Sequence, residues 1–249
     1  MIIPKNKQEI AYMRATGHLL ADVFAEFAPL VIEGVSTKSL DEQIEKMLVA
    51  RGLISQSKGY MGYLYATCIS INEEIVHGVP DAKRFLHQGD LVKIDICARR
   101  AGFCADMARC FVVGTMNDEL RKFVEVAYQS LDAGIKNVVI GKRLGDVSAA
   151  IQRVVESAGC SVVREFAGHG IGAAMHEDPE VLNYGAAGTG SRIKEGMAIA
   201  IEPMITQRNC AVKILSDGWT AVACNGGLAA HVEDTVIATE HGPEVITRV

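Results

Sequence analysis

A chain of 249 residues, 49% of them hydrophobic, can bury a sizeable core, and its net charge of −5 with no block of Lys or Arg argues against a nucleic-acid surface. The opening MIIPKNKQEI lacks the charged and apolar regions of a secretion signal, and no apolar run reaches the roughly 18 residues of a membrane span. Seven cysteines without a CxxC pair do not suit a disulfide framework, so a soluble protein of the reducing cytoplasm is expected, with no membrane or nucleic-acid partner.

Apolar residues Ile10, Met13, Leu20, Val23, Phe24 and Phe27 recur at helical spacing, predicting a helix from Asn6 to about Leu30, with Pro4 before it and Pro29 closing it. A second helix is expected from the N-cap at Ser36 or Thr37 to Gly52. A loop carrying Tyr60 and Tyr63, a strand from Ala66 to Ile71 and a turn at His77–Asp81 follow. Leu91 to Phe111, LVKIDICARRAGFCADMARCF, then reads as a β-hairpin. A turn centred between Arg100 and Ala101 sets Asp95 opposite Asp106, where like charges about 5 Å apart destabilise the pair. Either a shared proton, an Arg or Lys, or a cation neutralises them, or the register slips and the pair faces solvent. Cys97, Cys104 and Cys110 share that face, but a thiolate site lacks its usual short paired spacing, and adjacent carboxylates favour harder cations.

Helical spacing returns from about Asn117 to Val138 and from about Gly145 to Ala158. Val31/Val138, Gly34/Gly141, Ile44/Ile151 and Gly52/Gly159 fall in one gapless alignment, pointing to two related halves, about 1–114 and 115–249, with a ligand site at their junction. Strands are expected at Cys160–Phe166, Gly196–Glu202, Ala211–Leu215, Trp219–Ala223 and His231–Ala238. Strands following paired helices, in duplicate, imply an α+β architecture with a central, largely antiparallel sheet and the helices packed on one side.

Three further signals join the aspartates. His169 stands among glycines that leave its ring accessible, with His176 seven positions on; Glu202 sits where Pro203 stops a strand; Glu233 interrupts an apolar strand. Two Asp, two Glu and one His suit Mn, Fe(II), Co or Zn, and four carboxylates balance two divalent cations. Such two-metal clusters perform hydrolysis.

With GHGIG, HEDP, IEPM and DGWT in this order, and with ISINEEIVHGVPD and SVVREFAGHGIG as long specific stretches, the chain resembles type I methionine aminopeptidases of the bacterial type, without an N-terminal extension, over essentially its whole length. The resemblance implies a duplicated "pita-bread" fold forming a single catalytic domain of two halves. It implies metal-dependent removal of the initiator methionine from nascent polypeptides with a small second residue, through a dinuclear metal-bridged hydroxide. Asp95, Asp106, His169, Glu202 and Glu233 would hold two divalent ions (Co, Mn, Fe(II) or Zn), with Asp106 and Glu233 bridging. Glu202 would accept and donate the proton, His176 and His77 would contact the scissile amide, and Tyr60, Tyr63, Cys68, Met175 and Trp219 would line the methionine pocket. The partners implied are polypeptide N-termini, with the ribosome one place to meet them, and a monomer is expected. Departures from the family pattern are Met107 for the usual Thr or Ser, Cys104 for His, Met61 and Met175 for His and Phe, and His231 for Gln. X-Pro peptidases, the nearest rivals, normally carry a separate N-terminal domain, and a peptide-binding module without catalysis would have lost ligands.

Overall fold

The computed structural model describes residues 2–248. Helix α1, Lys7–Phe27, opens on a reciprocal cap in which Asn6 accepts from the backbone of Gln8 and Glu9 while the Glu9 carboxylate accepts from Asn6 N. It buries Met13, Leu20, Val23, Phe24 and Phe27. A short 3₁₀ turn at Ala28–Leu30, carrying Pro29, ends it. Ser36 caps α2, Thr37–Ala50, through Ser39 N. After the sheet strands described below come α3, Asp118–Ile135, and α4, Leu144–Ser157. Helices α2 and α4 begin at Thr37 and Leu144 and end at Ala50 and Ser157, the same offset as the sequence alignment.

The strands of the first part are β1 Ile54–Ser55, β2 Cys68–Ile71, β3 Glu74–Val76, β4 Leu91–Arg100 and β5 Phe103–Val112. Those of the second are β6 Ser161–Val162, β7 Gly168–Gly170, β8 Glu177–Val181, β9 Ala198–Ile201 and β10 Met204–Thr206. They continue with β11 Val212–Ile214, β12 Ala221–Ala223, β13 Ala229–His231, β14 Glu233–Thr239 and β15 Gly242–Val245. A nine-stranded sheet runs β1-β4-β5-β14-β9-β7-β8, with β2 on β4 and β15 on β14; two three-stranded sheets, β13-β10-β6 and β11-β12-β3, flank it. Every strand pair is antiparallel. This is the pita-bread architecture.

Alternation along the strands decides what faces what. On β4, Ile94 and Ile96 pack with Leu20, Phe24, Phe27, Ile44 and Leu48 of the first helix pair, while Asp95 between them turns to the other face. On β9 and β14, Ile199, Ile201 and Val236 pack with Leu131, Val147, Ile151 and Val155 of the second pair. The helices cover one face of the sheet, and Asp95, Asp106, His169 and Glu233 turn to the other.

The hairpin register differs from the one expected. Ala101 (φ 51°) and Gly102 (φ 88°) form a two-residue turn in which both residues take positive φ, so the turn centre lies one residue later. Arg100 then pairs with Phe103, Asp95 with Ala108 and Cys97 with Asp106. A shift of two preserves the face, so the aspartates remain on one side but stand diagonally rather than directly opposed, about 7–8 Å apart at Cα.

Other strands are shorter or broken. Cys160–Phe166 reduces to β6, and the strand expected at His231–Ala238 is two strands in two sheets, separated at Val232. The run ending at Glu202 pairs only as far as Ile201.

Candidate metal centre and active site

A cavity of about 270 Å³ opens on the polar face of the sheet. Asp95 from β4, Asp106 from β5, His169 from β7 and Glu233 from β14 line it, with Glu202 just past β9. Tyr60, Tyr63, Cys68, Met175 and Trp219 line its apolar side, and His77 and His176 complete it. The structure therefore brings together all twelve residues that the sequence suggested, and adds Ser57.

Each polar residue is fixed from behind. Asp106 N donates to Thr235 Oγ1 at 2.8 Å, and that hydroxyl donates to Asp106 O at 2.9 Å, locking β5 to β14 beside Glu233. On the opposite face of β14, Asp234 is fully buried and accepts from Arg109 Nη2 at 2.6 Å, Thr247 Oγ1 at 2.7 Å and Arg248 Nε at 2.7 Å. Asn183, fully buried, donates to Glu202 O at 2.9 Å and so holds the chain where β9 ends. Sequence reasoning missed Asn183 and Thr235, because neither residue carries a chemical signature of its own.

The glycines around His169 serve a purpose other than exposing its ring. A Cβ on Gly168 would lie 2.4 Å from Ala200 O, and one on Gly170 would lie 2.1 Å from Asp178 O. They let β7 approach both neighbours closely. His169 Nδ1 lies 2.9 Å from Gly170 O. A carbonyl only accepts, so Nδ1 carries the proton and Nε2 keeps its lone pair for the cavity. That nitrogen stands 3.8 Å from Asp106 Oδ2 and 3.6 Å from Glu202 Oε1. The His176 ring meets the His169 ring edge-on at 4.4 Å, and its Nδ1 lies 3.3 Å from Tyr60 Oη. His77 adopts φ 60°, in the left-handed region that few residues other than glycine enter, and stands edge-on to Phe166 at 5.5 Å.

The apolar wall is built with equal care. Cys68 pairs directly with Asp95 across β2 and β4. Tyr63 donates to Thr67 O at 2.9 Å, and its ring packs at 5.0 Å from Trp219. Asp41, from α2, accepts from Ala66 N at 3.0 Å, Thr67 N at 2.9 Å and Thr67 Oγ1 at 2.8 Å, fixing the chain just before Cys68.

The electrostatics define what the cavity can hold. Burial, then the charge of Asp106, pushes the Asp95 carboxyl well above its ordinary range; burial and Glu202 push Asp106 up to about 7. Burial raises Glu202 to about 8, and burial followed by Asp106 raises Glu233 well above its ordinary value. Burial lowers His169 and His77 to about 4, so both are neutral at pH 7. No Lys or Arg lines the cavity among the described residues, which removes one of the possible neutralisers of the aspartates. Asp106, His169 and Glu233 each offer a donor atom within 4.8 Å of the others, as do Glu202, His231 and Glu233; Asp95 faces the same cavity outside both groups. Buried Glu233 Oε1 and His231 Nε2 have no hydrogen-bond partner. Crowded carboxylates, neutral imidazole lone pairs and orphaned buried donor atoms fit divalent cations.

Fold and donor set together define a metallopeptidase, and the chain belongs to metallopeptidase family M24, whose model matches residues 11–240. Its relatives narrow the class. The methionine aminopeptidase of Clostridium acetobutylicum is 43% identical over 99% of both chains, and methionine aminopeptidase 1 of Bacillus subtilis is 42% identical over the whole of both. The crystal structure of methionine aminopeptidase from Thermotoga maritima superposes with a TM-score of 0.97 at 38% identity, covering 100% of each chain.

Proposed function

We propose that this chain is a methionyl aminopeptidase that removes the initiator methionine from polypeptides whose second residue is small. The observation that carries this reading is the juxtaposition, in one cavity, of a metal-fitting carboxylate cluster with an apolar, sulfur- and ring-lined wall of Tyr63, Cys68, Met175 and Trp219. That lining suits a polarizable thioether. At about 270 Å³ the cavity lies below the range of drug-sized sites, about 300–1,000 Å³, and suits a single residue. A second hollow of about 390 Å³ shares His77, His169, His176 and Glu202 with the first and offers room for the rest of the chain. The second residue would cross between these four side chains, which favours a small one.

Asp95, Asp106, His169, Glu202 and Glu233 would hold two divalent ions drawn from Co, Mn, Fe(II) or Zn. When bound, such ions supply Lewis acidity that polarises the scissile carbonyl and acidifies water. The side chains supply the rest. Glu202, whose carboxylate stands in the cavity between His169 and His231, would take up and return the proton. Neutral His77 and His176 would orient the amide, the latter steadying oxygen charge as it develops. The encounter would take place in the cytoplasm, at or near the ribosome, with the protein as a monomer. Among the described residues no helix is long and apolar enough to cross a membrane.

The metal-loaded protein should release free methionine from Met-Ala-Ser and leave Met-Lys peptides intact, and Glu202→Gln should keep the fold while losing turnover. Equal turnover of X-Pro peptides would overturn the assignment.

A further inference from the structure

His231 is 1% exposed and ends β13, where pairing with Met204 and acceptance of the Cys110 thiol by its carbonyl, at 3.4 Å, fix the backbone. Its ring points into the carboxylate cluster. Nε2 stands 3.3 Å from Glu202 Oε2 and 4.0 Å from Glu233 Oε2, yet makes no hydrogen bond, and Glu233 Oε1 beside it is equally unpartnered. A buried ring nitrogen facing two carboxylates without bonding to either is costly unless a further group sits among them. Two ligands of one ion with bonds of about 2.0–2.2 Å stand at most about 4.4 Å apart, and both distances fall within that limit. The arrangement mirrors the other side of Glu202: His169 Nε2 faces Oε1 at 3.6 Å, and His231 Nε2 faces Oε2.

Resting on the reading of this cavity as a divalent-metal centre, we propose that His231 Nε2 is a metal donor alongside Glu202 and Glu233, so that the centre carries two imidazole nitrogens, from His169 and His231. The carboxylate cluster thereby becomes richer in nitrogen than the five ligands marked by the sequence, which shifts its preference toward ions that favour imidazole, such as Zn and Fe, over Mn.

The test is X-ray absorption and Co(II) titration of the full-length protein, using Co(II) alone as the probe. The wild-type centre should show two imidazoles per chain. His231→Gln, which keeps a polar side chain of similar reach, should show one and bind Co(II) about 10- to 100-fold more weakly, with an unchanged circular dichroism spectrum. One imidazole in the wild type, or two retained in His231→Gln, overturns the proposal while leaving the metal centre standing. Weaker binding with an unchanged imidazole count would make His231 a positioning residue and also overturn it. If His231→Gln does not fold, His77→Gln and His176→Gln decide: loss of an imidazole in either overturns the proposal, and retention of both leaves His231 as the source. Absence of any Co(II) uptake overturns the metal-centre reading itself.

Discussion

Loading the centre with metal must expel protons, and the number follows from the environment of each acid. At pH 7 a carboxyl raised to about 7 is about half protonated and one raised to about 8 mostly so, so Asp106 and Glu202 together release on the order of one proton when an ion binds. Asp95 and Glu233, also raised by burial, add to that figure. Histidine donors release none, because burial already holds His169 and His231 neutral. The sign with pH is fixed as well. The Asp106–Glu202 contribution is larger at pH 6 and has largely gone by pH 9, so apparent affinity for the metal strengthens as pH rises. Isothermal titration of the metal-free protein in two buffers of different ionisation enthalpy measures the release directly. Fewer than about 0.5 protons at pH 7 would show that the acids are ionised in the metal-free site and would refute the account of their burial.

Two substitutions probe the supports instead of the centre. Asp41→Ala strips the acceptor from three hydrogen bonds and leaves two buried backbone donors unmatched, an expected loss of about 2–5 kcal/mol in urea unfolding with a raised KM for methionyl peptides; a loss below about 1 kcal/mol would contradict it. Gly170→Ala places a methyl 2.1 Å from the backbone oxygen of Asp178, so β7 must move away from β8; calorimetry should show about 2–3 kcal/mol of destabilisation and titration at least about tenfold weaker metal binding, and wild-type values in both would refute the close-approach argument.

What could be read from the sequence follows the range of the forces involved. Helices α1 to α4 were legible because their signals are local: an apolar stripe, a capping residue such as Asn6 or Ser36, and a terminating Pro29 or Gly52. The candidate donors stand out in the sequence because Asp95, Asp106 and Glu233 interrupt otherwise apolar strands and His169 stands among glycines. The hairpin register does not, because it hangs on one turn geometry: Ala101 adopts a positive φ that alanine rarely takes, and nothing in Arg-Arg-Ala-Gly announces it. Strands of two or three residues, such as β6 and β7, carry no periodicity and exist only through distant partners. The sequence places His231 at the start of one continuous strand to Ala238, whereas it ends a strand of a different sheet and reaches both glutamates.

The break between those strands explains how the site is assembled. Ile201 pairs with Asp234 in the large sheet and Met204 pairs with His231 in the smaller one, a single register carried across an interruption at Glu202–Pro203 and Val232–Glu233. In an unbroken ladder Glu202 would lie directly opposite Glu233, the like-charge confrontation that the sequence suggested for Asp95 and Asp106. Pro203 has no N–H to continue the ladder. The chain therefore changes sheets there, Glu233 pairs on its other side with Ala108 of β5, and Glu202 is held through its carbonyl by Asn183. The electrostatic problem that the hairpin presented is real but belongs to the glutamates as much as to the aspartates. The hairpin relieves it by setting its two carboxylates diagonally, and at the sheet change Glu202 and Glu233 keep donor atoms close enough, with His231, to share a divalent cation.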